Sequence, residues 1–201
     1  MKLVTAEAYL AIIEDTKIAD SLPTHELLKS FLKPLNDEHI IFISDLLGVT
    51  KYPTSFVDVI MSYEFNTLRL GNITFGEIPN NYAFPLQWLI DLNKYFMLRH
   101  PFPFKKLKEQ NYLIVARLNT EAIVLDLEKS GIYILAEDLD LSKATKIASN
   151  FTEFMNLLFT GILQRLKKSR SQKFWLDTEI ALEEDSILFW QSAFSNKKHL
   201  H

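Results

Sequence analysis

Apolar and polar positions along the chain change period as it proceeds, and the changes divide it into elements. Near the start, Tyr9, Leu10, Ile12 and Ile13 predict a short helix within residues 5–15. "LPTHELLKSFLKPL" predicts a second, with Thr24 as cap, Leu27, Leu28, Phe31 and Leu32 on one face, and Pro34 as the stop. "DEHIIFISDLLG" is ambiguous. Its Ile-Ile-Phe-Ile run suits a strand, but Ile40, Ile43, Leu46 and Leu47 fall at helical spacing and Gly48 can end a helix, so helix is preferred. "YPTSFVDVIMSY" predicts a helix entered at Pro53, with Phe56, Val59, Ile60 and Tyr63 on one face.

The period then shortens. "NTLRLGNITFG" predicts two short strands about Gly71-Asn72. "PLQWLIDLNKYFMLR" returns to helical spacing through Leu89, Leu92 and Phe96 and ends before Pro101. "NYLIVARL", "AIVLDLE" and "GIYILAE" are β-branched runs joined by the turns Asn119-Thr120 and Lys129-Ser130-Gly131. Such turns are too short for a parallel crossover, so the three predict an antiparallel meander. "SNFTEFMNLLFTGILQRL" has the clearest helical stripe: Phe151, Phe154, Met155, Leu158, Phe159, Ile162 and Leu166, capped by Asn150 with Glu153 three residues on. "DTEIALEEDSILFWQSAF" predicts a last helix, with Asp177 as cap and Ile180, Ile187 and Phe194 near one face. The expected class is α+β: helices, an antiparallel sheet, and helices packed on it.

Composition adds exclusions. At 201 residues and 48% hydrophobic, the chain suits one domain over 1–201 with a sizeable core. Its 15 Phe can fill that core, with some left for an interface. A net charge of −3 supplies no global field for nucleic acid, so none is expected as a partner, while a basic protein partner is compatible. Cysteine is absent, which removes disulfides, a thiol nucleophile and Cys-type zinc sites. No apolar run approaches the roughly 20 residues that span a bilayer, so the expectation is a soluble, cytoplasmic protein without membrane contact.

Candidate chemistry is sparse. The five Gly form no phosphate loop, and no serine sits in a Gly-x-Ser-x-Gly elbow. The five His include no HExxH, and His199 and His201 lie in a tail. "RHPFPFKKLK" mixes Arg99, Lys105, Lys106 and Lys108 with Phe102 and Phe104, which could suit single-stranded nucleic acid. With Pro101 and Pro103 it reads more simply as an inter-element loop. "QRLKKSRSQK" reads as the solvated end of a helix. The carboxylates of "AIVLDLEKSGIYILAEDLD" remain. Strand alternation puts Asp126 and Glu128 on one face, with Glu137 on the same sheet surface. The plain reading is a solvated sheet face. A hard-cation site lacks the tight Asp-x-Asp-x-Asp-Gly loop. No cofactor, metal or catalytic residue is expected.

Three stretches follow in order along the chain: "ISDLLGVTKYPTSFVDVIMSYEF", "LRLGNITFGEI", and "YLIVARLNTEAIVLDLEKSGIYILAED" followed by "ASNFTEFMNLL". Their order and spacing resemble the SUKH superfamily of cell-wall regulators and bacterial toxin-immunity proteins. The resemblance covers residues 39–162, leaving helical extensions at 1–38 and 163–201. The chain departs from the family in having Glu64-Phe65-Asn66 where an Asn-Gly turn is frequent, and Asn119-Thr120-Glu121 where a Gly-rich turn is. The resemblance implies a non-enzymatic protein-binding module, an immunity protein whose partner is a cognate toxin. On that view Asp126, Glu128, Glu137 and Asp138 are the expected partner-binding charges, mimicking phosphate toward a basic toxin site. The rival readings are a regulatory or scaffold protein of the same fold and a small metal-dependent carboxylate enzyme.

Overall fold

A computed structural model describes residues 3–5, 7–9, 11, 35–62, 65, 69–76, 86–166 and 182–194. The expected helix at 22–34, the basic run beyond Leu166, the cap Asp177, Ile180 and the His199/His201 tail lie outside them. The ambiguous Ile-rich run is helix α1, Asp37–Leu47. Its cap decides the matter: Asn36 Oδ1 accepts from the His39 amide, while the Asn36 amide donates to His39 Nδ1, each at 3.2 Å. Gly48 closes it in the left-handed region at φ 62°. Helix α2, Thr54–Ser62, follows and buries Phe56, Val59 and Ile60.

Strands β1 (Arg69–Leu70) and β2 (Ile73–Thr74) form the short hairpin about Gly71-Asn72. Helix α3 is Gln87–Arg99 and buries Leu89, Leu92 and Phe96 as expected. The segment expected to be a loop is instead helix α4, Pro101–Glu109. Both prolines fall in its first turn, where amides lack intrahelical acceptors in any case, so neither ring breaks a hydrogen bond. Strands β3 (Tyr112–Leu118), β4 (Glu121–Asp126) and β5 (Ile132–Leu135) are the expected meander. A fourth long-sheet member, β6 (Thr145–Ala148), is only four residues long, and Lys146 and Ala148 interrupt its β-branched Thr145 and Ile147, so no run marks it. Helices α5 (Phe151–Leu166) and α6 (Glu184–Phe194) complete the order. All six strands pair antiparallel in the order β1-β2-β3-β4-β5-β6, and the class is α+β.

Both sheet faces are covered, which corrects the expectation of a solvated one. Ile123 and Leu125 of β4 join the main core with Phe56, Phe151 and Phe154. Ala122 and Val124 enter a second cluster with Leu92 and Phe96 of α3 and Leu107 of α4. The buried Asn93 fastens α3 to β3: its Nδ2 donates to Ile114 O at 2.8 Å, and its Oδ1 accepts from the Ile114 amide at 3.3 Å.

Helix α5 is capped as expected, with the Glu153 amide donating to Asn150 Oδ1 at 2.9 Å. The Glu153 carboxylate reaches one residue further back than a standard box, to the Ser149 amide. The terminal segments join this core. Tyr9 stacks on Phe159 with ring centroids 5.0 Å apart, and Trp190 is fully buried. Helix α6 also ties the two sheet edges together. Trp190 Nε1 donates to Ile147 O of β6 at 3.1 Å, and the Asn72 amide of the β1–β2 turn donates to Ala193 O at 2.8 Å. Gly71 and Gly161 leave the space that the Phe194 ring fills.

Candidate binding cleft

The C-terminal end of α1, the loop into α2, one face of α3, and α4 surround a half-open cleft of about 880 Å³. Each wall follows from local sequence. Gly48 turns the chain sharply after Leu46 and Leu47, so Val49–Pro53 line the cleft before α2 starts. On α3, Ile90, Asn93, Lys94 and Met97 share one face by the three-to-four-residue repeat. Helix α4 adds Phe104 and Lys108, one turn apart, and the floor comes from Tyr112, Leu113 and Leu127 at the turn end of the sheet. Leu46 and Met97 on these walls keep 54% and 43% of their surface exposed.

The four expected partner-binding carboxylates do not form one surface. Strand alternation stops where the strands stop, at Asp126 and at Leu135. The register Leu125↔Ile132 and Ala122↔Leu135 puts Asp126 at the turn end of the hairpin and Glu137 beyond the other end. At about 3.3 Å per residue the two are more than about 10 Å apart along the strand. Asp126 is buried, and its Oδ1 accepts from the amides of Glu128 at 2.9 Å and Lys129 at 2.8 Å. It holds the turn and does not face solvent. Glu128 is exposed, lines the cleft and accepts from Asn111 Nδ2 at 2.7 Å. Glu137 is half-exposed, 3.7 Å from His100 Nε2. Asp138 accepts from Lys143 Nζ at 3.0 Å, and Asp140 lies 3.3 Å from the same ammonium.

The electrostatics follow these contacts. The Lys143 hydrogen bond holds the Asp138 carboxyl below its ordinary range, and the Ser142 hydroxyl does the same for Asp140. Burial, and then the Asp126 charge, push the Tyr112 and Tyr133 phenols up. Burial alone raises the Glu121 carboxyl. Among the described residues, no group of three or more His, Asp or Glu side chains is placed to hold a metal ion. No described helix is long and apolar enough to cross a membrane.

The sequence does not single out Leu46 as an accessible wall, or Lys51, Lys94 and Met97 at all, and it offers Lys108 only within a basic run. One signal was present. Ile90, Lys94 and Met97 repeat beside the buried stripe of α3 at helical spacing, leaving an apolar–basic flank. Set against protein-family models and against curated proteins, the chain matches none.

Proposed function

We propose that this chain is a non-enzymatic protein-binding module of the SUKH type, an immunity protein that neutralises a toxin in the cytoplasm by seating part of it in the cleft. One observation carries the reading: a half-open cleft whose wall residues Leu46 and Met97 keep much of their apolar surface in water. Apolar wall residues inside a polar rim are the usual anatomy of an interface centre. Further support comes from the order of elements. The Gly48 turn, the Pro53 entry to α2, the short β1–β2 hairpin and the meander followed by α5 occur in the sequence the resemblance implies. Neutralisation needs no turnover, only a complementary surface. Within this reading Asp126 supports the fold, and Glu128 is the one of the four carboxylates that lies at the cleft.

The test is capture from the native host followed by production of the captured protein alone and together with this chain. The reading expects a partner that arrests growth alone and is harmless when both are made. A captured partner without toxicity favours the regulatory or scaffold reading. A substrate turnover that co-purifies with the chain and is lost in a Met97→Asp variant overturns the non-enzymatic assignment.

A further inference from the structure

The cleft's charge has the opposite sign to the chain's. The whole sequence carries −3, yet the cleft lining holds three lysines, Lys51, Lys94 and Lys108, against the single carboxylate Glu128. Glu128 is already engaged by Asn111. Lys108 has a structural reason to be there. A side chain at Gly48 would lie 3.1 Å from its Nζ, so the ammonium sits over the C-terminal end of α1, where the helix dipole favours a cation. Lys51 and Lys94 have no such reason. Both are exposed, and neither makes an ion pair or side-chain hydrogen bond among the described residues. The same mouth presents the first residue of α2, Thr54, at the positive end of that helix.

Apolar side chains line the same cleft as these cations. Leu46 and Met97 are on the walls and Phe104 is deeper, so the cleft offers positive charge at its mouth and an apolar slot inside. A small inorganic anion would leave that slot unfilled, and a wholly apolar segment would leave the two ammoniums without partners. Resting on the reading of the cleft as the docking site, we propose that the partner inserts an acidic segment. Its carboxylates meet Lys51 and Lys94, and a large apolar side chain among them enters between Leu46 and Met97. The charges then run opposite to the acidic-face expectation: this chain supplies the cations and the partner the anions.

The test uses the full chain and three fluorescein-labelled peptides, read by anisotropy. They are Glu-Phe-Glu-Leu-Glu-Glu, its Lys-for-Glu counterpart and an all-Glu hexamer. The first should bind saturably and about fivefold or more tighter than the other two. The Lys51→Glu/Lys94→Glu double variant should lose about fivefold in affinity and most of the dependence on salt between about 20 and 200 mM. Both lysines are exposed, so this variant should melt like the wild type. Preference for the Lys peptide, equal binding by wild type and variant, no saturable binding, or full competition by inorganic phosphate would each overturn the proposal. The two readings fail separately. A toxic partner captured equally well by the double variant would leave the immunity function standing and remove the acidic segment. Peptide binding of the expected kind with a harmless partner would do the reverse.

Discussion

Replacing Asp126 separates a carboxylate that builds the fold from one that meets a partner. Its Oδ1 takes two backbone amides, Glu128 and Lys129, and the residue is only 4% exposed. Its own amide donates to Gly131 O and its carbonyl accepts from the Ser130 amide, so one residue closes the turn with main chain and side chain together. Hydrogen bonds to a charged group contribute about 1.5–3 kcal/mol each. Glu128 and Lys129 are themselves exposed, so water replaces part of what Asp126→Ala removes. The expected net cost is about 2–3 kcal/mol. Asp126→Asn keeps one acceptor oxygen and should cost about 1 kcal/mol. Asp126→Lys, which a solvated acidic face would tolerate, should cost more than Asp126→Ala, because it sets an ammonium where two donors converge. Glu137→Lys, at a half-exposed carboxylate, should stay within about 0.5 kcal/mol. Urea unfolding of the four variants, with slopes compared to exclude changes in the unfolded chain, gives these values directly. Wild-type stability in Asp126→Ala, or equal losses in Asp126→Lys and Glu137→Lys, would refute the reasoning.

Gly161→Ala should destabilise by about 1–3 kcal/mol, because the new methyl group would overlap the Phe194 ring and push α6 off α5; an unchanged melting temperature would contradict that packing. Phe154→Ala should cost about 3–5 kcal/mol, since the ring is fully buried between Phe151 and Trp190, and a denaturation midpoint equal to wild type would place it elsewhere. Burial raises the Tyr52 phenol to about 12, against 10.0 for an ordinary tyrosine. Its contribution is therefore intact below pH 10 and is lost as pH rises toward about 12, because the unfolded chain releases that proton first. Melting temperature against pH from about 9 to 11.5 should fall less steeply in Tyr52→Phe, and parallel curves would dismiss the effect.

The elements that periodicity made legible are those with one buried face. The stripe from Phe151 to Ile162 and the Leu89-Leu92-Phe96 face are buried as the spacing implies. The first three strands of the meander pair in the expected antiparallel order. Two errors share a cause: local signals were extended past the point where local structure ended. The two prolines of "RHPFPFKKLK" suggest a loop, but a first helical turn tolerates both. Alternation was carried beyond Asp126 and Leu135, where the chain had already turned. The cleft was not legible because its walls come from α1, α3, α4 and the β3–β4 end, segments up to about 80 residues apart. The tie between the sheet edges was equally hidden, since Trp190 meets Ile147, and Asn72 meets Ala193, only in the folded chain.

Affinity of the captured partner for a Leu46→Asp/Met97→Asp variant tests the central claim most directly. Both side chains are substantially exposed, so the variant should keep its fold and its melting temperature. Burying two carboxylates in the centre of an interface should weaken binding by about 1,000-fold, two hot-spot positions at about 2 kcal/mol each being lost together. Growth arrest by the partner should then escape neutralisation. A folded variant that binds the partner as tightly as the wild type, and still protects, would show that the cleft is not where this protein does its work.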